Sequence, residues 1–135
     1  MKELVHTMTD WYDGPRRGVA DFEGKPHYYE CPWYAGIDAD SDELPEDYLL
    51  TPLDAESYRL ALEDWAIWER WEAAFDAGTV TLATHPALPE DRTRHDEIEE
   101  LLRTKLVTNT QLCQRAKGVF SYEGAKRFVE WTIIT

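Results

Sequence analysis

The sequence predicts a single α+β domain in which an antiparallel sheet of about five strands packs on a long tryptophan-rich helix. The chain of 135 residues has the size of one domain with one hydrophobic core. Strand-like runs lie near both ends, and a long helical pattern lies between them. Strands grouped before and after the helices, rather than alternating with them, are typical of α+β folds. The same element order occurs in OB-type barrels, which remain an alternative.

The first predicted element is a β-hairpin. Gly18–Glu23 alternates apolar and charged side chains, and residues 27–33 are rich in tyrosine and tryptophan. Gly24-Lys25-Pro26 contains residue types that are common in turns, and it is predicted to connect the two strands. A short third strand, Tyr48–Thr51, follows an acidic loop and ends before a proline.

The clearest element is a helix over about Ala55–Ala77. Asp54 is a plausible N-cap, and Gly78 stands where a left-handed C-cap is wanted. The polar stripe is narrow, and most of the remaining circumference is apolar. Because such a helix is normally packed on two sides, we expect it to be the core element, with Trp68 and Trp71 buried.

A second helix is predicted over about residues 90–106, with a thin apolar stripe and a charged outer face. Two i,i+4 pairs are expected on it, Asp91 with His95 and Glu99 with Arg103. Two further strands, over residues 112–122 and 127–134, complete the sheet around a turn at Glu123-Gly124. Apolar groups on both faces of the last run indicate an interior strand.

The chain is strongly acidic, with a net charge of −13, of which residues 33–76 contribute −11. Nucleic acid and anionic membranes both require a basic footprint, so neither is an expected partner. A basic protein partner is favoured, although many cytoplasmic bacterial proteins are simply acidic. Without a signal-like or membrane-spanning run, and with Cys31 and Cys113 interpreted as reduced thiols, we expect a cytoplasmic protein.

Three carboxylates project into apolar sectors of the long helix: Asp64, Glu69 and Glu72. A carboxylate held in an apolar wall has a raised pKa and can act as a general acid, but such groups are more often only structural. The Asp13–Gly18 segment is a basic, glycine-bearing loop. Its Arg16 and Arg17 are candidates, together with Glu72, for binding a carboxylate or phosphate ligand.

Four acidic residues of the loop before the third strand are candidates for binding a basic partner: Asp38, Asp40, Asp42 and Glu43. The run resembles the start of a calcium loop. It departs at the sixth position, where Glu43 replaces glycine, and at the twelfth, where Leu49 replaces the bidentate glutamate. Neither cysteine belongs to a CxxC pair, and the histidines are scattered, so we expect no metal and no cofactor.

The sequence does not define an activity. A non-catalytic domain that binds another protein is the favoured hypothesis. The first alternative is an acidic inhibitor, either an immunity-type protein that masks a basic toxin or a nucleic-acid mimic. The second is a small-molecule binder or enzyme that uses the Arg16/Arg17 loop and a helix carboxylate. Oligomeric state is not specified by any of these patterns.

Overall fold

In a computed structural model, the chain is described over residues 1–11, 15–31, 47–108 and 113–134. It divides into two compact units. The sheet unit comprises Met1–Leu53 with Asn109–Thr135, and the helical unit comprises Asp54–Thr108. Each unit contains its own buried cluster, where one core had been expected. The α+β class is confirmed, and a single domain over residues 1–135 stays a prediction.

Among its described residues, the sheet unit contains seven antiparallel strands, more than the sequence predicted. They are β1 (Lys2–Leu4), β2 (Asp10–Trp11), β3 (Pro15–Phe22), β4 (Lys25–Glu30), β5 (Asp47–Pro52), β6 (Gln114–Glu123) and β7 (Lys126–Ile133). Their order across the sheet is β1-β7-β6-β5-β4-β3-β2. The two additional strands, β1 and β2, were missed because neither is long enough to show a period-two pattern. The prediction that the last strand is interior is confirmed, since β7 lies between β1 and β6.

The turn of the first hairpin differs from the prediction. Phe22 pairs with Lys25, so the connection is the two-residue turn Glu23-Gly24. Both turn residues have positive φ, 54° and 77°, as a type I′ hairpin turn requires. Lys25 and Pro26 belong instead to β4.

The OB-like barrel is not formed, because β1 and β2 remain the two ends of an open sheet. After β1, the chain crosses to β3 through an isolated bridge between Val5 and Ala20. The amides of His6 and Thr7 then donate to the Val19 carbonyl at 2.8 and 3.1 Å. Gly18 permits this close approach, since a Cβ there would lie 2.2 Å from the Thr7 carbonyl oxygen.

The core of the sheet unit is built around aromatic rings. Tyr29, Tyr48, Phe120 and Trp131 come from the four adjacent strands β4 to β7, and every pair of their ring centroids lies 5.3–6.1 Å apart. Their polar tips are satisfied by backbone carbonyls. Tyr29 donates to Thr7 at 2.9 Å, Tyr48 to Pro15 at 2.7 Å, and Trp131 Nε1 to Asp21 at 3.0 Å. The rings therefore bury their area without leaving an unpaired donor.

The helical unit contains α1 (Ala55–Asp76) and α2 (Arg92–Thr108), with short 3₁₀ turns at Leu82–Thr84 and Pro89–Asp91. The predicted caps of α1 are confirmed: an Asp54 carboxylate oxygen accepts from the Ser57 amide at 2.7 Å, and Gly78 has a φ of 77°. Within the described residues, neither helix combines the length and apolar character needed to cross a membrane.

The expectation that α1 packs against other elements on two sides is wrong. The buried residues of α1 lie along one stripe, formed by Ser57, Leu60, Ile67 and Trp71. Leu60 and Ile67 form a small core with Ala87 and with Ile98 of α2. Trp68 lies outside the stripe and is only half-buried. One apolar stripe of α1 is therefore enough to build this core.

Candidate functional site

The buried stripe of α1 is anchored by Trp71. Its side chain is 4% exposed, and Nε1 donates to Thr84 Oγ1 at 2.9 Å. The ring stacks on Phe75, with centroids 5.1 Å apart, and meets the His85 ring edge-on at 4.6 Å. Phe75 itself is 40% exposed, so the aromatic packing continues from the core to the surface.

A second aromatic pair lies on a different face of α1. Trp65 and Trp68, three residues apart, stack with centroids separated by 4.7 Å and planes inclined by 26°. Both rings are half-buried rather than enclosed. The stack holds two large, rigid apolar groups against each other with part of their surface in solvent.

Three carboxylates share this face of α1. Glu69, Glu72 and Asp76 follow Trp65 at i+4, i+7 and i+11, which places all of them on one side of the helix. Glu69 and Asp76 are exposed, and Glu72 is half-buried. We define the aromatic–acidic face as Trp65, Trp68, Glu69, Glu72 and Asp76.

The carboxylates of this face are not neutralised locally. The last turn of α1 contains no basic residue, although the partial negative charge of a helix C-terminus favours cations there. Across the described chain, no cationic side chain forms an ion pair with Glu69, Glu72 or Asp76. Anionic groups near a helix C-terminus that lack a cation leave a local negative potential.

The cations of the helical unit are engaged elsewhere. Arg70 makes two hydrogen bonds of 3.0 Å to Asp91, and Arg94 holds Glu63 through both Nε and Nη2. Lys105 lies 3.4 Å from Asp54 and 3.3 Å from Glu56. Arg103 pairs with Glu100, Arg59 with Glu63, and Arg92 donates to the Thr84 and His85 carbonyls. The Arg103 and Arg59 pairs lie within one helix each, and the other contacts connect the two helices, the Asp54 cap and the 3₁₀ turns.

A buried histidine forms the second notable cluster. His95 of α2 is 5% exposed, and its Nδ1 lies 2.7 Å from Asp64 Oδ1 on α1. Its Nε2 lies 3.3 Å from Glu99 Oε1, one turn further along α2. Burial raises the pKa of Asp64 above its ordinary value, and the hydrogen bond with His95 partly offsets this.

Both i,i+4 pairs predicted for α2 are wrong. Asp91 pairs with Arg70 rather than with His95, and Arg103 pairs with Glu100 rather than with Glu99. His95 turns instead toward Asp64, which lies 31 residues earlier on the other helix. Helix periodicity alone does not show such cross-helix partners, because they depend on how α1 and α2 pack. The one available signal was the position of Asp64 in an apolar sector of α1.

Arg16 and Arg17 lie in β3 rather than in a loop. Because neighbouring residues of a strand point to opposite faces, the two side chains diverge and do not form a joint clamp. Arg16 is 4% exposed, and its Nη1 lies 3.9 Å from Cys31 Sγ. Arg17 lies 3.4 Å from Glu30 on the neighbouring strand. Glu72, grouped with them in the sequence analysis, belongs to the helical unit.

The acidic loop falls outside the described residues, and with it Asp38, Asp40, Asp42 and Glu43. Their role in binding a partner stays a prediction. The chain matches no protein-family model, no curated protein and no solved structure.

Proposed function

We propose that the protein is a non-catalytic protein-binding module, and that its helical unit binds a basic segment of a partner protein through the aromatic–acidic face. The observation that carries the proposal is the half-buried Trp65–Trp68 stack beside three carboxylates without a local cation. Tryptophan is the aromatic residue that cations bind best, and it is enriched at the energetic centres of protein interfaces.

Charge and apolar area complement each other on this face. An arginine or lysine placed over a tryptophan ring gains a cation–π contact, and its charged end can reach a carboxylate of the same helix face. An alternating basic and apolar segment would satisfy both features, with apolar side chains on the rings and cations on the carboxylates. Its arrival would also supply the cation that the C-terminal turn of α1 lacks.

The charge distribution supports a basic partner. The helical unit contains thirteen acidic and six basic side chains, counted over residues 54–108. Because opposite charges attract at long range, association should be electrostatically steered. Its on-rate should fall as salt rises from about 0.05 to 0.5 M, while the off-rate changes less.

The test uses a fluorescein-labelled peptide of alternating arginine and leucine, with a glutamate-for-arginine peptide as the charge control. Changing Glu69→Gln, Glu72→Gln and Asp76→Asn together should weaken binding of the arginine peptide by about tenfold or more, as expected when charges at the centre of an interface are removed. The matched control removes the same charge from the other helix and turn, with Glu90→Gln, Glu97→Gln and Glu100→Gln. It should change the affinity by less than about twofold.

Equal weakening by both triple variants would show that net charge alone attracts the peptide and would contradict the proposed face. A fourth variant with Asp38, Asp40, Asp42 and Glu43 neutralised tests the acidic loop separately. If that variant alone loses binding, the sequence hypothesis of the loop as partner site is supported and the helical face is not. The acidic-inhibitor and small-molecule hypotheses stay predictions; the small-molecule hypothesis requires Arg16→Ala with Arg17→Ala to abolish ligand binding.

A further inference from the structure

Three side chains with metal-binding atoms converge on one face of α2. One ligand atom each from His95, Asp96 and Glu99 lies within 4.8 Å of the other two. His95 and Glu99 are four residues apart, so they lie on neighbouring turns of one face, and Asp96 flanks them. His95 is buried, whereas Asp96 and Glu99 are exposed. The imidazole is therefore the buried group of the cluster, and the two carboxylates contact solvent.

The orientation of the imidazole is fixed from outside this cluster. A carboxylate oxygen of Asp64, on the other helix, lies 2.7 Å from His95 Nδ1, within hydrogen-bond distance. This leaves Nε2 directed at Glu99 Oε1, 3.3 Å away. Histidines that ligate metals almost always donate their other ring N–H to a carboxylate or carbonyl, which fixes the tautomer and makes the free nitrogen more basic.

Nε2 of His95 and the carboxylate oxygens of Asp96 and Glu99 can each donate a lone pair to one divalent metal ion, since these atoms lie within 4.8 Å of one another. The charge of the ion would also offset the negative charge of the two carboxylates.

We propose that His95 Nε2, Asp96 and Glu99 form a binding site for a divalent transition metal of the zinc class, with Asp64 as the group that orients His95. An imidazole ligand favours zinc and its transition-metal neighbours over magnesium and calcium, which prefer oxygen ligands alone. Three protein ligands leave at least one coordination position for water or for a group of another molecule. The site is separate from the aromatic–acidic face and does not depend on its function.

The proposal departs from the sequence prediction that no metal binds. That prediction relied on the absence of a CxxC pair and on the scatter of the histidines along the sequence. A histidine followed by an acidic residue at i+4 is too common on helices to be informative alone. The orienting contact from Asp64 distinguishes this histidine, and it comes from a residue 31 positions away.

The site can be tested by titrating zinc chloride into the untagged, metal-free full chain and measuring heat. One equivalent should bind at micromolar or tighter affinity. Glu99→Gln should weaken zinc binding by about tenfold or more, because it removes a ligand while leaving the His95–Asp64 contact in place. Asp64→Asn should also weaken it by about tenfold, as loss of an orienting carboxylate does at other metal sites. The matched control, Glu97→Gln with Glu100→Gln on the same helix, should change the affinity by less than about twofold.

His95→Gln should abolish zinc binding, and circular dichroism of each variant checks that the helices are retained. Absence of one-equivalent binding up to millimolar zinc would overturn the proposal. Binding that is unchanged in Glu99→Gln would equally overturn it, since the zinc would then be held elsewhere. Equal weakening by the control and by Glu99→Gln would show attraction to a generally acidic surface and would also contradict the site.

Discussion

The two units use their aromatic residues in opposite ways. In the sheet unit, Tyr29, Tyr48, Phe120 and Trp131 all contact one another, and the polar tips of three of these rings are bound by backbone carbonyls. In the helical unit, Trp71 is similarly enclosed, but the Trp65–Trp68 stack is half-buried and bordered by carboxylates. Aromatic content alone therefore does not distinguish the rings that form a core from the rings that stay partly exposed.

This difference in ring burial follows from how each unit buries its apolar side chains. Four adjacent strands of a sheet present side chains to one face, so their rings can surround one another. A pair of helices encloses only the stripe that each turns toward the other. Trp65 and Trp68 lie outside the buried stripe of α1, on the side of the helix that carries Glu69 and Glu72. The proposal of a binding role for the helical unit, rather than for the sheet, depends on this arrangement.

The largest expected effect is in the sheet core. Tyr29→Ala should lower the free energy of unfolding by about 3–5 kcal/mol, because it removes a fully buried ring that contacts three others and the hydrogen bond to Thr7. Tyr29→Phe keeps the ring and should cost about 1 kcal/mol. Urea unfolding measures both. A small effect of Tyr29→Ala would show that the rings do not form the core of this unit.

In the helical unit, two tryptophans three residues apart should behave differently. Trp71→Ala should cost about 3 kcal/mol, because the ring is buried and Nε1 binds Thr84. Trp68→Ala should cost about 1 kcal/mol, since its side chain is only partly buried. Thermal unfolding followed at helix-sensitive wavelengths measures the pair. Equal and large losses would restore the sequence prediction that both rings are core residues and would remove the contrast on which the proposed function depends.

The smallest expected effect is the loss of folding stability at low pH. The pKa of Glu63 is lowered by its hydrogen bond with Arg94, that of Asp91 by Arg70, and that of Asp54 by the Ser57 amide. These pKa values are lower in the folded than in the unfolded chain. Their contribution is therefore present above the unfolded values and is lost as pH falls through the folded ones. Asp64 has the opposite sign, because its folded pKa is raised and its contribution is lost as pH rises.

The helical unit should consequently lose stability between about pH 5 and pH 3, by less than about 1 kcal/mol per exposed pair. Urea unfolding at a series of pH values measures this loss. Glu63→Gln should flatten part of the pH dependence, whereas Glu90→Gln, on an exposed turn, should leave it unchanged. A pH profile identical in the parent and in Glu63→Gln would show that the Arg94 pair contributes nothing to folding.

The parts of the fold that local patterns determine were predictable from the sequence. Four features were predicted because each depends on a sequence repeat or on turn residues within a short segment. They are the helix from Ala55, its Asp54 cap, the C-terminal hairpin and the interior position of the last strand. The strand at Asp10–Trp11 was not predicted, because two residues are too few to show a pattern. The strand at Lys2–Leu4 was not predicted, because its pairing partner, β7, lies far along the chain. The division of the apolar surface of α1 into a buried and a half-buried stripe was missed for the same reason.

Of the candidate site, the residue types were predictable and their grouping was not. Glu69 and Glu72 were recognised as carboxylates among apolar residues, but their position beside a stacked tryptophan pair depends on side-chain conformations. Arg16 and Arg17 were grouped by adjacency in the sequence, and a strand separates adjacent side chains onto opposite faces. The His95–Asp64 contact requires knowledge of how α2 packs on α1.

The central claim is that the Trp65–Trp68 stack is a binding surface and not a part of the core, and Trp68→Ala tests it most directly. The variant should be assayed for its melting temperature and for its affinity for the labelled arginine–leucine peptide in the same preparation. We expect a melting temperature within a few degrees of the parent and an affinity reduced by about tenfold or more. Loss of folding, or an unchanged affinity in a folded variant, would contradict the claim.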